Sequence, residues 1–92
     1  MDEIKKIREK IDELDRKLVE LMNERAECAR AIGRLKHNTR LPIYEPEREK
    51  TIFANVCSVN RGPLPDRFLL QVYERLIDVM RQMQKDEPAP SQ

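Results

Sequence analysis

From Ile4 onward the apolar side chains recur at alternating intervals of three and four: Ile4, Ile7, Ile11, Leu14, Leu18 and Leu21, then Cys28, Ile32 and Leu35. That rhythm gathers them on one stripe of a single long α-helix, a packing seam that another helix can fill. The seam position between Leu21 and Cys28 is Arg25, a guanidinium where the repeat asks for an apolar group. A charge at such a place has to be paired or has to meet an anionic ligand.

The first helix is expected to run until about His37, because Asn38-Thr39 and the Leu41-Pro42 step favour non-helical backbone. A short loop to Tyr44 follows. Pro46 holds the position preferred in a first helical turn, and Glu45, Glu47 and Glu49 place negative charge at the positive end of the helix dipole. The second helix therefore starts near Glu45, and an apolar face of Ile52, Phe53, Val56 and Val59 carries it to Asn60. Arg61-Gly62-Pro63-Leu64-Pro65 reads as a second connection. Asp66 is expected to cap a third helix whose buried stripe is Leu69, Val72, Tyr73, Leu76, Met80 and Met83. Residues 1–85 thus form one helical domain. The polar, Pro-containing stretch from Asp86 to Gln92 is expected to be a disordered tail or a linker.

Length and composition agree with an all-α fold. Ninety-two residues make one domain that buries a modest fraction of its surface, so a partner subunit is expected to complete the core. Charged residues at 38%, aromatic residues at 4% and only two Gly favour solvated helices over sheets or barrels. A formal net charge of +1 offers no footprint for nucleic acid or an anionic membrane, and no apolar run approaches the ~20 residues that span a bilayer. A soluble, cytoplasmic protein is the expectation. Cys28 and Cys57 are too few and too distant for a thiolate metal site and are expected to be buried free thiols. His37, beside Lys36 and Asn38, reads as a solvated helix-end residue without chemistry.

Arg8, Arg25 and Lys36 all lie on or beside the seam, and helix rise decides which of them can share a ligand. At about 1.5 Å per residue, Arg8 and Arg25 are ~25 Å apart along the axis and Arg8 and Lys36 ~42 Å. Arg25 and Lys36, close to three turns apart, point the same way and can converge from ~16 Å. Arg8 must then come from another chain. Antiparallel pairing of two first helices about Leu18 and Val19 brings Arg8 of the partner subunit level with the Arg25–Lys36 stretch, and two-fold symmetry makes two such sites. On the second helix Glu45, Arg48 and Glu49 share a face. Alone they would read as a surface ion-pair cluster. With a cation in the seam, they are candidates to close a pocket over it. Gln84 continues the line of Tyr73, Ile77 and Met80 and puts an amide at one end of the third helix's apolar face.

These residues resemble a known family. Ile7-Arg8-Glu9-Lys10-Ile11-Asp12, Leu14-Asp15, Leu18, Leu21, Arg25, Ile32-Gly33 and Lys36 resemble the first helix of the all-helical chorismate mutases, and Pro42-Ile43-Tyr44-Glu45-Pro46-Glu47-Arg48-Glu49 resembles that family's loop and second-helix motif. The resemblance spans roughly residues 4 to 84. It implies an intertwined antiparallel homodimer of three-helix subunits that converts chorismate to prephenate without a cofactor, in phenylalanine and tyrosine biosynthesis. It further implies that Arg25 and Arg8 of the partner subunit bind the two substrate carboxylates, and that Lys36 and Gln84 donate to the ether oxygen whose bond breaks. Arg48 would support the carboxylates, and Glu49 with the Glu45 backbone would hold the ring hydroxyl. Met80, also at the substrate, departs from the pattern, since many relatives carry a small polar residue there.

The rearrangement needs no nucleophile, general base or metal, so cationic and amide donors are the chemistry it asks for. Two other readings compete. An isochorismate-pyruvate lyase of the same fold would eliminate pyruvate from a related substrate, and the carboxyl groups of Glu45 to Glu49 favour the mutase over it. A non-catalytic helical dimerisation module would need no cation in its seam, and Arg25 argues against it.

Overall fold

The computed structural model describes residues 2–88, which form three helices joined by short loops. α1 runs Asp2–Thr39, α2 Pro46–Val59 and α3 Asp66–Asp86. The 38 residues of α1 match the long axis of the molecule, 57 Å, at about 1.5 Å per residue. It ends where Arg40 takes a left-handed conformation with φ of 58°, two residues past the expected stop. α2 starts at Pro46 with Glu45 as its flanking residue, and its last residue is Val59 with Asn60 flanking it, where the sequence indicates a stop.

The third helix begins differently from expectation. Asp66 is its first residue and does not cap it; Pro65 occupies the capping position. The Asp66 carboxylate instead accepts a 2.7 Å hydrogen bond from the Asn60 side chain, which also donates to the Leu64 carbonyl at 2.8 Å. Asn60 thereby ties the end of α2 to the start of α3 across a loop in which Gly62 has φ of +67°, a conformation that side-chain-bearing residues rarely adopt.

α3 is the central element, packing on both α1 and α2. Its inner line is Leu69, Leu70, Tyr73, Leu76, Ile77, Met80 and Met83, all buried or half-buried, whereas Val72 of the expected stripe is exposed. The reason is geometric: with Ile77 and Met80 at the centre of the contact, Val72 falls on the flank of that face, beyond the cover of the neighbouring helices. α1 meets α3 only through its C-terminal third, where Ala29, Gly33 and Lys36 are buried. Every residue from 2 to 24 is exposed in the single chain, and the seam stands uncovered, Leu18 at 53% and Leu35 at 62%. Cys28, expected to be buried, is exposed because it lies on that uncovered face; Cys57 is half-buried, and both thiols are free. Among the described residues no helix is long and apolar enough to cross a membrane.

The third helix continues one residue past the expected boundary at 85. Asp86 belongs to α3, and Glu87 is 8% exposed, held by Arg34 at 2.7 Å and Arg30 at 3.2 Å. The rest of the expected tail, 89–92, lies outside the described residues. Burial is the largest single influence on the Glu87 carboxyl and raises it, but the hydrogen bonds and charges of Arg34 and Arg30 together outweigh burial and hold it below its ordinary value. The folded chain therefore favours the carboxylate. The stability this confers is complete above the unfolded value of 4.5 and is lost as pH falls through the lower folded value. Glu87→Gln should accordingly be less stable than the unaltered chain at pH 7, with the gap closing as pH drops below that range. Urea unfolding at fixed protein concentration and a series of pH values checks this; a gap independent of pH would show that the ion pairs contribute nothing.

Candidate active site

All three helices present the same spacing toward one cleft. α1 contributes Arg25, Cys28, Ala29, Ile32 and Lys36, α2 with its flanking residue contributes Glu45, Arg48, Glu49 and Ile52, and α3 contributes Ile77, Met80, Arg81 and Gln84. Each set follows offsets of three, four and seven, the pattern by which a helix keeps side chains on one face. Ile43 from the first loop closes one corner of the cavity, whose volume is about 310 Å³. That volume is at the small end of the range for ligand pockets.

The charged groups of the cleft are organised in pairs. Lys36, buried against α3, gives its ammonium to the Glu45 carboxylate at 2.6 Å and to the Ile43 carbonyl at 3.3 Å. Glu45 flanks the start of α2 yet makes no side-chain cap there, because its carboxylate is turned to Lys36. Glu49 accepts a hydrogen bond from Arg81. Arg25 and Arg48 make no ion pair among the described residues. Four cations thus face two carboxylates, an excess of two positive charges in one cleft. An arrangement of that kind suits a compact dianion. Among the described residues, no group of three or more His, Cys, Asp or Glu side chains is placed to hold a metal ion.

The structure brings together Arg25, Lys36, Glu45, Arg48, Glu49, Met80 and Gln84, seven of the eight residues singled out in the sequence. Arg8 is apart from them, on the exposed N-terminal part of α1. Gln84 is half-buried within the last turn and a half of α3, with Oε1 buried and without a partner. Arg81 is the site residue that the sequence does not single out. It sits three residues before Gln84, so the spacing that marks Gln84 could have found it, but a charge beside a helix end carries no signal until the neighbouring helix is placed.

The family described as chorismate mutase type II matches residues 7–85. A bifunctional chorismate mutase/prephenate dehydratase of Aquifex aeolicus is 36% identical over 89 residues, which cover 92% of this chain and 25% of that protein. This chain spans about a quarter of the length of such bifunctional relatives. A chorismate mutase of Methanocaldococcus jannaschii is 30% identical, with 92% of this chain and 87% of that protein covered. Among solved structures, a chorismate mutase from Helicobacter pylori in complex with prephenate superposes with a TM-score of 0.87 at 28% identity, covering 95% of this chain and 94% of that one. A chorismate mutase from Thermus thermophilus gives a TM-score of 0.88 at 27% identity, covering 91% and 96%.

Gly33 sets the distance between two walls of the cleft. A Cβ at that position would lie 3.1 Å from the Gln84 Cα, 3.2 Å from its carbonyl oxygen and 3.4 Å from its Cβ. The first two are backbone atoms that cannot rotate aside. Gly33→Ala would have to push the last turn of α3 outward, an overpacking that costs about 1–3 kcal/mol, while better helix propensity offsets about 1 kcal/mol of it. A net destabilisation of up to about 2 kcal/mol is expected by chemical unfolding, with a displaced side-chain amide resonance of Gln84. A more stable variant with an unmoved amide resonance would show that the helices have room to spare.

Proposed function

The chain belongs to the type II chorismate mutase family, and on that premise we propose that it converts chorismate to prephenate in the cleft between its three helices. The observation that carries the reading is the excess of two positive charges in a cleft built from all three helices, matched to a dianionic substrate. The reaction is an intramolecular Claisen rearrangement: the ether C–O bond breaks as a new C–C bond forms within one molecule. No atom is taken from the protein. What accelerates it is restraint of the substrate in its compact conformer and stabilisation of charge growing on the ether oxygen.

Arg25 engages one substrate carboxylate, with Arg48 nearby. Lys36 and Gln84, on facing helices, donate to the ether oxygen, and Lys36 is held ready by Glu45. An ammonium in this buried position gains strength as negative charge develops, because surrounding water is sparse. Glu49 accepts from the ring hydroxyl and fixes the ring's orientation. Met80 supplies an apolar contact where a polar side chain would add a hydrogen bond.

The same proposal includes a second copy of the chain. Among the described residues the buried apolar core of one subunit is Ala29, Ile77 and Met80, far less than a domain of this size needs. The uncovered seam of α1 is long, apolar and self-complementary under a two-fold axis. Arg25, Cys28 and Ile32 belong both to that seam and to the cleft, so a helix that covers the one reaches the other. Antiparallel pairing of α1 helices then delivers Arg8 of the partner subunit to the second carboxylate.

Incubating the purified protein with chorismate should yield prephenate, and with isochorismate no salicylate; the reverse pattern would assign the protein to the lyases. Lys36→Ala should lower kcat by at least about 100-fold, the scale on which removing one donor to a developing oxyanion acts. A turnover number within about threefold of the unaltered enzyme would remove Lys36 from catalysis.

Sharing of the site is tested by mixing. Arg8→Ala and Lys36→Ala chains, each inactive, are unfolded together and refolded, so that mixed dimers carry one doubly damaged pocket and one intact pocket. Random pairing then returns about a quarter of full activity. Activity that stays at the level of the parents, despite mixed dimers seen by mass spectrometry, would refute the shared site.

A further inference from the structure

Arg81 is the one cation of the cleft without a role in the reaction as proposed. Its Nη2 donates to the Glu49 carboxylate, its Nη1 lies 3.4 Å from Asp78, and its Nε is buried without a partner. The central carbon of the guanidinium lies over the Tyr44 ring, 4.8 Å from the centroid. Each nitrogen is therefore engaged or enclosed. Arg81 is not disposed to hold a substrate carboxylate; its reach into the cleft ends on Glu49.

Glu49 has little else to fix it. It lies in the first turn of α2, has rotatable bonds of its own, and accepts from no other side chain among the described residues. A carboxylate free to rotate is a poor discriminator of one hydroxyl position. One seized by a planar, charged donor is preorganised. The donor is in turn immobilised by Asp78 on its own helix and by the Tyr44 ring from the loop before α2. Three elements converge on the orientation of one oxygen pair.

From this geometry we infer that Arg81 is a positioning residue that acts through Glu49, fixing the carboxylate so that the site selects substrates bearing the ring hydroxyl. The inference rests on the chorismate reading of the cleft and adds to it the origin of hydroxyl selectivity. Tyr44 and Asp78 hold Arg81 in place and do not touch the substrate. Lysine cannot substitute fully, since an ammonium can follow the carboxylate but offers no planar group that reaches Glu49 and Asp78 through separate nitrogens from above the Tyr44 ring.

The test uses Arg81→Lys, which keeps the charge of the cleft, and a chorismate analogue with hydrogen in place of the ring hydroxyl. With chorismate, kcat/KM should fall at least about fivefold, the scale of one charge-assisted hydrogen bond loosened rather than lost. With the analogue, the variant should stay within about twofold of the unaltered enzyme, because no hydroxyl awaits the carboxylate. In a Glu49→Gln background, Arg81→Lys should add less than about twofold, the sign of two residues acting as one. Equal losses on both substrates, multiplying losses in the double variant, or no loss on chorismate would each overturn the inference while leaving the mutase reading intact. An unaltered enzyme that fails to convert chorismate would instead sink that reading, and this inference with it.

Discussion

α1 and α3 approach each other so closely at Gly33 that the Gln84 backbone occupies the space a side chain would need. Around that contact the small buried core gathers, with Ala29 on one helix and Ile77 and Met80 on the other. The approach also determines the cleft. Lys36 lies one turn beyond Gly33 on α1, and Gln84 faces Gly33 on α3, so the contact places an ammonium and an amide at the same end of one cavity. Arg30 and Arg34 flank Gly33 and grip Glu87, one turn past Gln84, which secures the same junction from its other side.

The cleft manages its charge before any ligand arrives. Burying Lys36 without a partner would cost several kcal/mol, and Glu45 offsets that cost. A substrate that accepts from Lys36 must share the ammonium with Glu45 or draw it away, so the resting pair keeps the cation oriented at the expense of some binding. Arg81 and Glu49 repeat the arrangement on the opposite wall. Arg25 and Arg48 are the cations left to attract an anion, and one sits in the apolar seam while the other sits on α2. Long-range attraction and short-range orientation are thus carried by different side chains.

A helix of 38 residues is longer than the body its own chain builds against it. The exposed stretch 2–24 carries both the apolar seam and Arg8, so the part of the molecule least stable alone is the part that the proposed dimer would use twice, for its core and for the neighbouring pocket. Stability and site completion would then be one event, so that dissociation would remove activity and fold together.

Periodicity alone determined the three helices, the seam with Arg25 inside it, and the grouping of Glu45, Arg48 and Glu49 on one face, because these depend on rise and rotation per residue within a single element. Gln84 was legible for the same reason. The roles attached to these residues came from a family resemblance, which the match over residues 7–85 supports at the level of the family. What only the tertiary structure decided lies between elements: the pairing of Lys36 with Glu45 across a helix break, Arg81 on Glu49, Asn60 on Asp66, and Glu87 between Arg30 and Arg34. Asp66 looked like a cap and Glu87 like part of a loose tail because a sequence states what a side chain can donate or accept, not what another helix brings within reach of it. That distance is set by packing, and here by the missing side chain of Gly33.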